Sequence, residues 1–102
     1  MIHVIATIDL IPGKRDAFLE EFHRLIPQVQ AEKGCLEYTA AVDVATGVPV
    51  QSPARPNTVT VIEKWADLPS LEAHLNAPHV AAYRERVKNM LAGLKLQILQ
   101  PA

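Results

Sequence analysis

The sequence predicts an α+β fold in which helices cover one face of a four-stranded antiparallel sheet. Two observations lead to this prediction. Apolar residues switch between strand-like and helix-like spacing in the order strand, helix, strand, strand, helix, helix, strand. The 102 residues also suit one domain over residues 1–102, because a second hydrophobic core would need roughly another 50 residues. This order is close to the split βαβ, or ferredoxin-like, pattern.

The first half of the chain contains a strand, a helix and a second strand. β-branched residues over 2–10 predict the first strand, which a Pro-Gly pair ends. A helix follows from Lys14, where the apolar residues take helical spacing, and Pro27 is expected to kink or shorten it. The second strand is expected over residues 35–44. The apolar stripe of the helix consists of Phe18, Phe22, Leu25 and Val29.

A long loop is predicted over residues 45–57, because this stretch contains three prolines and a glycine. Loops of this length are uncommon in compact domains unless they serve a site or an interface. We therefore expect it to contact a pocket or a second subunit. Residues 58–65 form the most strand-like segment of the chain and predict the third strand.

Two helices and a last strand are expected after the third strand. Asp67 opens a short helix whose inward residues are predicted to be Leu68, Leu71 and Leu75. Proline is well tolerated at the first position of a helix, so a third helix is expected from Pro78 through Leu91. Apolar and polar residues then alternate over 94–99, which predicts the fourth strand.

Composition and charge exclude several classes of function. The net charge is −1 and the pI about 6.4, so the basic surface typical of nucleic-acid-binding proteins is missing. The single cysteine, Cys35, cannot form an intrachain disulfide, which fits a reducing compartment. No apolar run approaches the roughly 20 residues of a membrane span, and no signal peptide is visible. We expect a cytoplasmic protein that does not insert into membranes.

Both alternating sets of the third strand are substantially apolar or aromatic, so both sheet faces are expected to be covered. Since helices cover only one face in this pattern, the other needs a partner, most simply a second copy of the chain. A homodimer with an interface built mainly from sheet faces is therefore predicted. One set is Val59, Val61, Glu63 and Trp65, and the other is Thr58, Thr60, Ile62 and Lys64.

Glu63, Trp65 and His74 are the first candidates for chemistry. Glu63 and Trp65 are two residues apart on a strand and share a face, so they could line a cavity under the helices. The alternative is a core tryptophan and a carboxylate paired with a lysine. His74 lies at the edge of the apolar stripe of the second helix, where it could act as a general base. A solvated helix-edge histidine is the alternative.

Four further residues are weaker candidates. Tyr38 and Tyr83 could each donate a hydrogen bond to a substrate oxygen, or be ordinary core-edge residues. Cys35 has no base nearby in sequence and is more simply a small buried hydrophobe. His79 follows Pro78, which breaks the helix between it and His74. A continuous helical pair of metal ligands is thus excluded, and no metal site is predicted.

Three sequence elements resemble the antibiotic biosynthesis monooxygenase superfamily: E-K-G-C-L-E-Y (32–38), V-I-E-K-W (61–65) and L-E-A-H-L-N-A-P-H-V-A-A-Y (71–83). Within it, V-D-V-A-T-G-V-P-V-Q-S (42–52), the following proline-containing loop and the ending I-L-Q-P (98–101) resemble the bacterial quinol monooxygenases. The resemblance covers nearly the whole chain, which is thus expected to be one monooxygenase domain.

The resemblance implies a dimeric α+β barrel and a pocket between sheet and helices in each subunit. It also implies oxidation of quinols to quinones by dioxygen without flavin, haem or metal. For this reaction His74 is the candidate base, Trp65 an aromatic wall of the pocket, and Tyr38 or Tyr83 a hydrogen-bond donor to the substrate. The residues expected to contact the quinone-type substrate are Glu63, His79, Tyr83 and Cys35.

Other branches of the superfamily fit less well. Members that modify polyketides have an asparagine four residues before the tryptophan, where this chain has Val61. Haem-degrading members need an axial histidine where this chain has Tyr83 or Arg84. Isomerases of phosphorylated signalling compounds share the H-x-x-x-P-H element, so such an isomerase remains an alternative. A further alternative is a quinone-binding stress-response module without catalysis.

Overall fold

The computed structural model describes residues 1–102 and has the predicted order of elements. The elements are β1 (Ile2–Leu10), α1 (Arg15–Gln30), β2 (Cys35–Ala41), β3 (Thr58–Trp65), α2 (Leu68–Leu75), α3 (Pro78–Val87), a single 3₁₀ turn (Lys88–Met90) and β4 (Leu91–Leu99). The strands pair antiparallel in the order β2-β3-β1-β4, which confirms the α+β fold with a four-stranded ferredoxin-like sheet.

The hydrophobic core lies between the helices and one face of the sheet. The predicted stripe of α1 is buried completely or almost so. It shares one core cluster with residues of β1 and β3, which alternate in the sequence and therefore lie on one sheet face. Burying each large apolar side chain stabilises the fold by about 1.5–3 kcal/mol. The buried strand residues are Val4, Ala6, Ile8, Leu10, Val59, Val61 and Trp65.

One predicted boundary in the first half of the chain is wrong, and Pro27 does not end α1. The helix continues to Gln30, because the N–H of Ala31 donates to the Pro27 carbonyl in the turn that follows, and the expected kink stays a prediction. The second strand ends at Ala41 and not at Val44, because its last pair with β3 is Ala41 with Thr60 and the pairing does not continue towards the start of β3. The apolar character of the next residues therefore does not extend the sheet.

The last strand and the start of α2 also differ from the prediction. β4 begins at Leu91, which pairs with Leu10, so Leu91 belongs to the sheet and not to α3. Leu68 is exposed instead of inward. It is the first residue of α2, and helical side chains tilt towards the helix N-terminus, so it lies beyond the core. The buried residues of α2 are Leu71 and His74.

Both short helices begin where the sequence places them. The carboxylate of Asp67 caps α2 by accepting the backbone N–H of Ser70 at 2.8 Å. Pro78 is the first residue of α3, where its missing N–H leaves no intrahelical bond unmade. No helix combines the length and the apolar character needed to cross a membrane.

The loop between β2 and β3 is held by polar contacts within itself. The Arg55 guanidinium donates to both oxygens of Asp43, at 2.8 and 3.0 Å, and lowers the pKa of this carboxyl to about 2. The loop does not line the cavity described below, so the expectation that it contacts the pocket is wrong. Its contact with a second subunit stays a prediction.

Candidate active site

A cavity of about 140 Å³ lies between the sheet and the helices, on the covered side of β1 and β3. Twelve of its fifteen lining residues are hydrophobic, and the three others are Glu63, His74 and Arg84. Such a lining suits an apolar ligand that a few polar groups orient. Of these three, only Glu63 and His74 are candidates predicted from the sequence.

The aromatic wall of the cavity comes from α1, β2 and α3. Phe22 stacks on Tyr38 with ring centroids 5.2 Å apart, and Tyr83 meets Phe22 edge-on at 6.1 Å. Burial raises the pKa of both phenols well above the usual range, so each keeps its proton at neutral pH. Tyr38 and Tyr83 are thus available as hydrogen-bond donors beside the cavity.

Trp65 does not line the cavity, so its expected role as an aromatic wall is wrong. It is fully buried at the end of β3, and its indole N–H donates to Oε1 of Glu63 at 2.9 Å. Its ring also packs against His74, with centroids 4.7 Å apart. Since residues two apart on a strand share a face, the E-x-W spacing places the donor beside the carboxylate. Trp65 therefore acts on the site by holding Glu63 and His74.

Glu63 is a buried carboxyl that lines the cavity. Desolvation raises its pKa above the ordinary value, while the hydrogen bond from Trp65 and the nearby His74 favour the charged form. Both Trp65 and His74 lie beside the same oxygen, Oε1. Glu63 is thus held next to the cavity, and its burial there favours the protonated form of the carboxyl.

His74 is buried in α2, with 3% of its surface exposed, and is not a solvated helix-edge residue. Its Nδ1 lies 3.0 Å from Oε2 of Glu32, and its Nε2 lies 3.9 Å from Oε1 of Glu63. Tyr38 meets the imidazole ring edge-on, with centroids 5.3 Å apart. Because His74 also lines the cavity, it is the titratable base that a ligand there would meet.

The residue of this cluster that the sequence does not single out is Glu32, in the turn before β2. Its Oε2 also lies 2.8 Å from Nε2 of His79, so one carboxylate oxygen contacts two histidines. The only signal in the sequence was its place at the start of the E-K-G-C motif. The candidates predicted from that motif are its cysteine and its tyrosine, Cys35 and Tyr38.

Gly34 explains how the turn reaches the site. Its φ is +81°, and a Cβ at this position would lie 2.2 Å from Oγ of Ser70 in α2. Only glycine takes this backbone conformation easily and leaves room for so close an approach. The turn thus packs directly on α2, and Glu32 is brought within reach of His74.

His79 and Cys35 are not among the residues that line the cavity, in contrast to their expected role in substrate binding. His79 faces Glu32, because α3 begins at Pro78 and turns its first side chains towards the turn before β2. Burial and the neighbouring Glu32 and Glu63 raise the pKa of the Cys35 thiol. The cysteine is therefore a protonated thiol, which is a poor nucleophile.

Arg84 is the only cationic side chain that lines the cavity. It forms no ion pair, and one of its N–H groups donates to the carbonyl of Leu75 at 3.1 Å. A phosphorylated substrate would need several converging cations, and one arginine does not supply them. No group of three or more His, Cys, Asp or Glu side chains is arranged to hold a metal ion.

Comparison with known proteins gives a consistent result at the level of family. The family model described as antibiotic biosynthesis monooxygenase matches residues 1–86. The protein named "Probable quinol monooxygenase YgiN" from Escherichia coli (strain K12) is 44% identical over 103 aligned positions, which cover 99% of this chain and 98% of that protein.

Solved structures support the same fold. The structure of PA3566 from Pseudomonas aeruginosa is similar with a TM-score of 0.81 and 28% identity, covering 99% of this chain and 93% of that one. The structure of Rv0793 from Mycobacterium tuberculosis has a TM-score of 0.82 at 22% identity, covering 99% of this chain and 94% of that one.

Proposed function

Because the chain belongs to the antibiotic biosynthesis monooxygenase family, we propose that it oxidises quinol-type substrates with dioxygen in the cavity under its helices. The relative from Escherichia coli, named a probable quinol monooxygenase and 44% identical over almost the full length, supports this substrate class. The observation that carries the proposal is a buried histidine flanked by two carboxylates at the polar end of an apolar, aromatic-walled cavity.

The apolar lining favours a flat aromatic ring, and the polar end favours its hydroxyl groups. A reduced naphthoquinone has both, and it can itself supply the electrons that dioxygen needs. The protein then has to bind the quinol, remove a proton and admit oxygen. Tyr38 and Tyr83 keep their protons and can donate hydrogen bonds to the quinol oxygens.

His74 is the proposed general base. It removes a proton from a quinol hydroxyl, and the electrons of the broken O–H bond stay on the substrate oxygen. The electron-rich anion is more easily oxidised and gives two electrons to dioxygen, so that quinone and hydrogen peroxide are formed. If one oxygen atom is retained instead, a ring C–H bond is replaced by C–OH, the substrate gives four electrons in total, and the products are hydroxyquinone and water. No resident cofactor is needed in this proposal, because substrate and oxygen balance the reaction.

We also propose that the working form is a homodimer. Large apolar side chains of β4 remain exposed although they lie on the same sheet face as the core, and Leu94 and Leu96 among them line the cavity. The other sheet face carries Ile5 and Ile62 without any helix over it. Packing against a second copy would cover apolar surface that the chain itself leaves open.

The test is oxygen consumption with menadiol, using protein freed of metal and flavin. The wild type should exceed a buffer blank and a heat-treated sample, since quinols also autoxidise. We expect His74→Ala to lower turnover by about 10²-fold or more, because the base is removed. His23→Ala is the matched control, since His23 is exposed on α1. A wild type no faster than the blank would refute quinol oxidation, and an active His74→Ala would refute the proposed base.

A further inference from the structure

Glu32 joins two histidines from two different helices. Its Oε2 lies 3.0 Å from Nδ1 of His74 in α2 and 2.8 Å from Nε2 of His79 in α3. We infer that Glu32 is a positioning residue that holds neutral His74 as the tautomer with its proton on Nδ1, which leaves Nε2 as the basic nitrogen. This inference rests on the proposed function and adds a residue to its machinery.

The two nitrogens of His74 face carboxylates at different distances. Neutral imidazole has one N–H and one acceptor nitrogen, whereas an ionised carboxylate only accepts. Only the Nδ1 contact, at 3.0 Å, is within hydrogen-bond distance, because Nε2 lies 3.9 Å from Glu63. The opposite tautomer would turn the lone pair of Nδ1 towards the lone pairs of Glu32. The bonding arrangement therefore places the proton on Nδ1.

Nε2 of His74 lies on the side of the ring that faces the cavity. It approaches Glu63, which lines the cavity together with His74. When Nε2 takes the proton of a quinol hydroxyl, the ring becomes positive with Oε2 of Glu32 only 3.0 Å from Nδ1. This negative oxygen stabilises the charge at the moment it forms. The proton stays on Nε2 until the reduced oxygen product takes it, and His74 is neutral again.

The second histidine fixes the place of the carboxylate. Nε2 of His79 lies 2.8 Å from the same oxygen of Glu32 and must donate there, because an ionised carboxylate only accepts. About a quarter of the His79 side chain, 26%, is exposed. Glu32 is thus held between two N–H groups and by the tight turn at Gly34. The His74 ring itself is packed between Trp65 and Tyr38. The neighbours of His74 therefore set both its ring orientation and its tautomer.

The direct experiment is ¹⁵N NMR of the histidine side chains in the wild-type protein without substrate. We expect neutral His74 to carry its proton on Nδ1. A proton on Nε2 would overturn the inference. This measurement needs neither a variant nor activity, so it decides the inference even if the protein proves inactive on quinols, in which case only the proposed function fails.

Variants then test the effect on turnover. We expect Glu32→Gln to lose the tautomer preference and to lower kcat by about tenfold to a hundredfold, with KM changed by less than about threefold because Glu32 does not line the cavity. Glu32→Asp should restore part of kcat by returning the negative charge. The matched control is Glu72→Gln, since Glu72 is exposed on α2. Wild-type kcat in Glu32→Gln, or an equal loss in Glu72→Gln, would overturn the inference.

Discussion

Strands β3 and β4 lie in the same sheet on either side of β1, but only one of them is covered. Ala6 of β1 is paired with Val61 of β3 on one side and with Leu96 of β4 on the other. All three side chains point to the helical face, yet Val61 is 2% exposed and Leu96 45% exposed. The reason is that α1 and α2 pack over β2 and β3 and leave the β4 edge open.

The difference in coverage between β3 and β4 matters because residues of both strands line the cavity. The covered strand carries residues of the proposed site, since Glu63 and Trp65 lie on β3 and His74 lies above them on α2. The open strand supplies apolar walls, Leu94 and Leu96, where the cavity meets the surface. The end of the cavity at β3 is thus shielded from water by the chain itself. Whether water reaches the end at β4 depends on what covers that strand.

Substitutions on the two strands should have very different costs. Trp65→Ala is expected to lower the free energy of unfolding by about 3–5 kcal/mol, because the indole is fully buried and leaves a cavity. Ile98→Ala on β4 should cost only about 1 kcal/mol in the chain alone, because about half of the side chain already faces water.

Urea denaturation of both variants at several protein concentrations measures this contrast. The loss in Trp65→Ala should not depend on concentration, since its contacts lie within one chain. The loss in Ile98→Ala should grow with concentration if a second copy covers β4. Equal losses at every concentration would show that the two strands are equivalent.

A charge on the open strand should break the dimer without unfolding the chain. Ile98→Lys is expected to weaken self-association at least tenfold, about 1.4 kcal/mol, because a lysine cannot be desolvated cheaply in an apolar interface. Light scattering of the wild type should give about twice the chain mass of 11.2 kDa. Lys33→Ala serves as a control away from β4. A monomeric wild type, or an undisturbed dimer in Ile98→Lys, would contradict the proposal.

The smallest expected effect is a pH dependence of the free energy of unfolding that Glu63 on β3 causes. Burial raises the pKa of Glu63 above its ordinary value of 4.5, so the folded chain holds this proton to higher pH than the unfolded chain. The free energy of unfolding therefore falls as pH rises between the two values. Glu63→Gln removes this decrease and still accepts the Trp65 N–H.

Urea titrations from acidic to neutral pH should show Glu63→Gln gaining stability relative to the wild type as pH rises. Beyond the pKa of the folded state the gain should level off. Glu72→Gln is again the control, because Glu72 is exposed on α2 and lacks the burial that causes the effect. If the difference in stability between Glu63→Gln and the wild type were constant with pH, Glu63 would not be desolvated.

Short-range patterns in the sequence were enough for the element order, the core stripe of α1 and the start of α3. These depend on the periods of helix and strand and on proline at a helix start, which are local properties. The family was also recognisable from its spaced motifs. Strand ends were less predictable: Val44 and Leu91 were misassigned because a strand extends only as far as a neighbour pairs with it.

Only the tertiary structure decided which contacts the candidate site residues make. Sequence spacing placed Glu63 and Trp65 on one face, but the hydrogen bond between them and the exclusion of Trp65 from the cavity depend on packing. Glu32 is 42 residues from His74 along the chain, and the two meet only where Gly34 lets a turn pack on α2. Contacts between distant segments leave no period in a sequence, which is why the histidines were visible and the carboxylate between them was not.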